Sequence, residues 1–474
     1  MTDRFLTADA CQALIKRIVA LAAGGGSTTV ELDSSWVGNL RWARNLILSA
    51  GDVRDNELVV SRDVRGAQGH TGINQIDDGH LVTALRRAER LVQLQHELPE
   101  TELEHPFIEP FPKPAIWSDS SFNLDAESRA TGMQALVEPA QKAGVYAAGY
   151  IQVSAHGRAT MDGDRVWYYP YTLCQYSVTV RDREGTGSGW AGVDGNDWSK
   201  IDAAGLTAIA VDKCLRSRNP VAVEPGRYTV ILEPQAVCDL VSILFTARSL
   251  DRDSNEFGNP REKHDSQYYH ESQLGYHKGP GYSMIGERVF DERLTVSMDP
   301  MDPDASFPPF LRWQVAHPVT WVKDGVLKEL AYYRTYAVRK LGLDTGGLPT
   351  WGSFRMSGRG DATSVDEMIA TTKRGILVTR LAGLAPWATN DLLLTGYTRD
   401  GTWLIENGKV SKPVKNFRFA EAPLTVLNRI EQIGVPKRVF RPNAPGAIPD
   451  GYAPVVVPAL KVRDFNFVSL ADAV

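Results

Sequence analysis

Cysteine is scarce. Four residues in 474, Cys11, Cys174, Cys214 and Cys238, lie far apart and form no CxxC pair. That spacing argues against a cysteine zinc cage or a disulfide framework and favours reduced, buried thiols in a cytoplasmic protein. Neither a basic nor an acidic tail is present, and Lys and Arg are dispersed along a chain of net charge -5; a dedicated nucleic-acid surface is therefore not expected. No uninterrupted apolar run approaches the ~18 residues of a membrane span, and MTDRFLTADACQAL lacks the basic-then-apolar order of a secretory signal. The expectation is a soluble cytoplasmic chain without a membrane partner. Internal repeats of about 20 to 50 residues, the mark of solenoids and propellers, are missing too.

What is present is enough apolar sequence, 43%, for a large core, in a chain longer than one core usually supports, so two domains are expected. The punctuation NPVAVEPG, residues 219–226, places the boundary between an N-terminal α/β layered domain, 1–222, and a β-rich domain, 223–474. In the first, TADACQALIKRIVALAAGGG has the helical stripe Leu14, Ile15, Ile18, Val19 and Ala22. TTVEL, LRWARNLILSA, ELVVSRDV and HTGINQI read as short antiparallel strands. Helices are expected in DDGHLVTALRRAERLVQLQ, in DAESRATGMQALVEPAQKAG and over 202–218, with β-sequence over 146–180 and a glycine turn at EGTGSGWAG. HPFIEPFPKP is too proline-rich for either element. The second half is mostly strands around one helix, SVDEMIATTKRG, where Ser364 and Glu367 stand at capping-box spacing and Gly375 follows the end. The class is α+β.

Two stretches raise a chemical question. In VILEPQAVCDLVSILFTARSL a strand leads through Glu233-Pro234 into a helix whose stripe, Val237, Leu240, Val241, Leu244 and Phe245, carries no acid, base or metal ligand. HDSQYYHESQLGYH, residues 264–277, gathers three of only nine histidines, His264, His270 and His277, beside Glu271. On a helix seven residues advance ~10.5 Å, too far for two rings to reach one ion at ~2 Å, so HExxH-type spacing is absent. A loop would have to converge them, and the segment reads equally as the lining of a substrate or partner cleft or as a solvated insertion. GAQGHTG lacks the strand-to-helix setting of a dinucleotide site, RGD at 359–361 reads as a turn, and Cys174 and Ser242 have no base beside them in sequence. The tryptophans, among them Trp313, Trp321, Trp351, Trp387 and Trp403, read as core or interface anchors.

PGRYTVILEPQAVCDLVSIL, GERVFDERLTVSMDP, SVDEMIATTKRGILVTRLAG, GYTRDGTWLIENGKVSKPVKNFRF, LTVLNRIEQIG and VPALKVRDFNF, in this order over roughly 224–467, resemble the TldD/PmbA family, the modulator-of-gyrase or TldD/TldE proteases. The resemblance implies an α/β N-terminal domain, a β-barrel-like C-terminal domain and work in TldD:TldE pairs whose TldD-like chain holds zinc. In TldD-like chains the helix after the VxLxP strand carries HExxxH, and a third ligand is a cysteine of the C-terminal domain. Eight residues beyond the proline this sequence instead reads Ser242-Ile243-Leu244-Phe245-Thr246-Ala247. Ser242, Ile243 and Ala247 thus occupy the His, Glu and His places, and no cysteine follows residue 238. The resemblance therefore implies a TldE-like chain with no catalytic or metal-binding residues of its own, its zinc in a TldD-like HExxxH partner. The pair would hydrolyse unfolded peptides, leader peptides or small amide-linked metabolites. Two other readings stay open: an independent metallo-hydrolase built on 264–277, and a non-enzymatic interaction protein.

Overall fold

Arg44 and Asn45, at φ 52° and 63°, supply the left-handed conformation at both positions of a two-residue hairpin loop. LRWARNLILSA is accordingly not one strand: it contains the turn joining β1, Ser27–Ala43, to β2, Leu46–Val64. The four short strands expected here are three, two of them very long. With β3, Ala67–Ile73, β4, Tyr146–Asp162, β5, Arg165–Arg181, and β6, Ser188–Gly195, they form an antiparallel sheet of order β3-β2-β1-β4-β5-β6. The structure, a computed structural model, describes residues 4–245 and 284–471 apart from 23–24, 65–66, 95–110, 163, 312–313, 334–336, 344–346, 349, 351, 361, 389–392 and 442–451.

One face of this sheet is helix-covered. Alternate residues of β1, Val30, Leu32, Trp36, Leu40 and Trp42, are buried, as a half-covered strand requires. Trp36 packs with Phe122, and the others pack beneath α1, Ala8–Leu21, α2, Asp78–Leu94, α3, Ala126–Lys142, and α4, Ala203–Arg216. Thr7, Asp125 and Asp202 cap three of these helices through side-chain oxygens. The glycines of EGTGSGWAG do more than turn the chain, because Gly189 is inside β6, where a Cβ would lie 2.1 Å from the carbonyl of Ala210 on α4.

From Gly226 onward the strands enter other sheets. Strands β7, Gly226–Leu232, β8, Arg374–Ala388, β9, Leu393–Glu406, β10, Phe417–Glu421, and β11, Leu460–Leu470, pair in the ring β8-β7-β11-β10-β9, and β9 returns to β8. This closed five-stranded barrel has no free edge within its ring. Val230 and Leu232 point to one core cluster and Ile231 to another, covered by α6, Val365–Ala370. A second sheet contains 294–298, 319–323 and 354–358. Over 286–340 the expected strands are short, of two or five residues each, and are separated by turns and prolines. The Ser364–Glu367 capping box is present, but α6 ends at Ala370, and Gly375 is instead a residue of β8 whose Cβ would lie 2.6 Å from Thr229 O on the parallel neighbour β7.

Trp321 and Trp403 are 0% and 2% exposed. They are core, not interface; Trp313, Trp351 and the Trp387 side chain lie outside what is described. All four cysteines are free and buried. Among the described residues no helix is long and apolar enough to cross a membrane.

Candidate functional site

Strand β7 delivers the chain to Glu233, whose N–H bonds Val378 O on β8 at 3.0 Å, and Pro234 opens α5, Pro234–Val241. Proline suits a first helical turn because its missing N–H would have no partner there. The stripe read from sequence is wholly internal: Val237, Leu240, Val241, Leu244 and Phe245 are 0% exposed and share one cluster with the barrel and the second sheet. Phe245 packs on Phe354 at 4.6 Å between ring centroids.

The last turn changes character where the family's ligands would begin. Residues Ser242–Phe245 form a 3-10 turn, and Ser242 Oγ donates to Cys238 O at 2.6 Å, a bond back to the preceding turn. Ile243, half-buried, packs against the same apolar cluster. Burial pushes the Cys238 thiol up to about 12, so it is not a ready thiolate. A metal that needs imidazole, carboxylate or thiolate donors does not fit the side chains at this turn. Ala247 and the candidates His264, His270, Glu271 and His277 lie outside the described residues.

The polar side of α5, which the stripe did not reveal, is fully engaged. Gln235 Nε2 donates to Asp239 Oδ1 at 2.9 Å and to Phe440 O at 3.1 Å, while its Oε1 accepts Phe440 N at 3.1 Å. Asp239 Oδ2 accepts Leu381 N of β8 at 2.9 Å. Burial pushes the Asp239 carboxyl up to about 6, against the pull of these donors and of Arg380. The i, i+4 spacing of Gln235 and Asp239 was the available signal. The same 438–441 segment reaches the first sheet: Arg438 Nε and Arg441 N each donate to Asp194 of β6 at 2.9 Å. Lys213 of α4 pairs with Glu233, and Ser188 Oγ donates to Asp400 Oδ1 at 2.6 Å. Polar contacts thus fasten the barrel and its helix to the N-terminal layer.

A second polar cluster lies in the sheet, missed because its members are 120 residues apart. Asp33 Oδ1 meets His156 Nδ1 at 3.0 Å, His156 Nε2 meets Ser154 Oγ at 2.9 Å, and Arg158 Nε donates to Asp33 Oδ2 at 2.9 Å. Burial alone would raise the Asp33 carboxyl, but Arg158 and His156 hold it well below the usual carboxylate range. The contact order is that of a serine-hydrolase relay. Its setting is not, since Ser154 and His156 are each 1% exposed and Tyr171 lies flat on the imidazole at 4.5 Å. Substrate has no approach, so the cluster fastens β1 to β4. Cys174 is equally shut away, its thiol pushed by burial up to about 12.

A helix-backed antiparallel sheet joined to a closed barrel around a buried helix defines the architectural class, and solved structures share it. A Thermotoga maritima protein described as a modulator of a DNA gyrase aligns with TM-score 0.76 at 14% identity, covering 97% of this chain and 100% of that one. TldE from Thermococcus kodakarensis aligns with TM-score 0.75 at 15% identity, over 96% and 99% of the two chains. A modulator-of-gyrase protein of Bacteroides thetaiotaomicron gives 0.73 at 17%, over 98% and 100%. No curated protein matches in sequence. The family model of the PmbA/TldA metallopeptidase C-terminal domain matches residues 225–469, more than half the chain. The chain belongs to the PmbA/TldA family.

Proposed function

We propose that this chain is the metal-free, TldE-like subunit of a heteromeric hydrolase whose zinc and general base reside in a TldD-like HExxxH partner. One observation carries the reading: at the turn that would present the ligands, Ser242 hydrogen-bonds its own helix and Ile243 packs on the core. Neither can bind zinc through an imidazole or take a proton from water near neutral pH. The chain's role is then to complete the partner's cleft and help select substrates of the peptide or amide class. The 264–277 segment, with His264, His270, Glu271 and His277, is the candidate for contacting substrate or partner. The test is co-expression with an HExxxH family chain followed by size-exclusion chromatography. A stable complex is expected, with amide hydrolysis by the pair and none by this chain alone. A monodisperse monomer with no affinity for such partners would defeat the pairing.

A further inference from the structure

Strand β2 has a neighbour on both sides only from Leu58 onward. There it lies between β1 and β3, but β3 ends at Ile73 opposite Leu58, and over Leu46–Glu57 no described residue pairs with the side of β2 away from β1. The stretch is exposed almost throughout. Near the hairpin turn Leu48 is an extra residue, since Trp42 faces Ile47 and Arg41 faces Ser49, and such a bulge bends its strand out of line. The straight open edge is therefore 49–57, bounded by the bulge at one end and by β3 at the other.

An open edge offers its N–H and C=O groups to any other strand. This one carries neither lysine nor proline; its charges are Asp52, Arg54, Asp55 and Glu57, of both signs, and amid them Val53 is 57% exposed. Asp52 meets Arg129 of α3 yet keeps its side chain 37% exposed, and Arg54 has no counter-ion among the described residues. Charge and a bulge can blunt such an edge against foreign strands, but the order of these charges suits one partner.

Two copies related by a two-fold axis pair antiparallel, and the axis sets one residue opposite itself. With Asp52 or Arg54 on the axis a charge faces its own copy, which weakens a sheet. With Gly51 there, Arg54 lies opposite the bulged Leu48. Only Val53 avoids both faults: Arg54 of each chain then faces Asp52 of the other, Gly51 faces Asp55, Ser49 faces Glu57, and no like charges meet. Val53 is also the midpoint of 49–57, so this register uses the whole open edge and stops where the bulge and β3 begin.

We propose that the open edge of β2 is a self-association surface, on which two copies of this chain join antiparallel along 49–57 with their Val53 side chains in contact on the axis, merging two sheets into one. The inference goes beyond pairing with an HExxxH chain and does not depend on it.

The test is sedimentation equilibrium of the full chain alone at micromolar concentration, which should give the mass of two chains. Val53→Lys and Val53→Glu each place like charges on the axis and should each weaken self-association at least tenfold, with the circular dichroism spectrum unchanged because this side chain is exposed in the single chain. An equimolar mixture of the two variants should recover dimers holding one of each, read by native mass spectrometry. Arg54→Glu, which sets acid against Asp52 of the copy, should also weaken association and serves if a Val53 variant does not fold. A monomeric unaltered chain, a dimer that none of these substitutions weakens, or a mixture without recovery overturns the self-pairing. So does a monomer whose complex with an HExxxH chain is lost on Val53→Lys, which would give the edge to that partner instead.

Discussion

Asp33 and Asp239 are both largely buried aspartates at the joints of this molecule, and their surroundings drive them in opposite directions. Asp33, between β1 and β4, faces the full charge of Arg158 and the imidazole of His156, which together outweigh desolvation. Asp239, between α5 and β8, meets only the dipoles of Gln235 and the Leu381 amide, with Arg380 acting from farther off, and desolvation wins. The difference teaches that hydrogen bonds suffice to place a buried carboxyl, whereas keeping it ionised takes an opposing charge in contact. It also shows how α5 is held in place as a structural element. Its acid is tied to two protein donors and none of its described polar groups is left to activate water.

Removing Asp33 should have the largest effect. Asp33→Asn leaves Arg158 and His156 buried without their counter-charge, and a loss of about 3 to 5 kcal/mol is expected in urea unfolding at pH 7. A loss under about 1 kcal/mol would mean that the cluster is better solvated than its burial implies. The Asp239 effect depends on pH. Its folded carboxyl titrates near 6 against an ordinary value of 3.8, so between those values the folded state binds more protons than the unfolded state. The Asp239 contribution to unfolding free energy therefore falls as pH rises from about 4 to about 6 and levels off above, by on the order of 3 kcal/mol for a shift of this size. Asp239→Asn should remove that contribution, as the difference between the two proteins in chemical unfolding across the range would reveal; identical pH slopes would show that Asp239 is ionised throughout. The smallest change is expected from placing the motif on the seat with Ser242→His, Ile243→Glu and Ala247→His. Ile243 is half-buried, so its replacement by a carboxylate should cost about 1 to 2 kcal/mol, and zinc should bind weakly without peptide cleavage. Tight zinc with turnover would point to a third ligand elsewhere in the chain.

Local pattern made much of this legible. The period of Val237, Leu240, Val241, Leu244 and Phe245 identified a core helix, and the Ser364–Glu367 spacing identified a cap, because both signals act within two turns. Gly and Pro punctuation marked the passage into β7. The β1–β2 hairpin was misread because its turn is Arg44-Asn45 and carries no glycine, so an apolar run continued across it. Whether Trp321 and Trp403 were core or interface anchors stayed open because composition cannot separate a buried aromatic from an interface one. The Asp33–His156 and Asp194–Arg438 contacts were invisible for a different reason: the first depends on the register of two long paired strands and the second on packing between two different sheets, each joining residues more than 100 positions apart, and a single sequence carries no trace of either.

Elemental analysis bears most directly on the central claim, comparing this chain purified alone with its complex with an HExxxH family partner after dialysis against zinc-free buffer. A metal-free subunit should retain less than ~0.1 zinc per chain alone, because a closed ligand set is missing, while the complex should hold about one zinc per pair, lost when the partner's histidines are replaced. Stoichiometric zinc retained by this chain alone would contradict that assignment and place a metal centre within it.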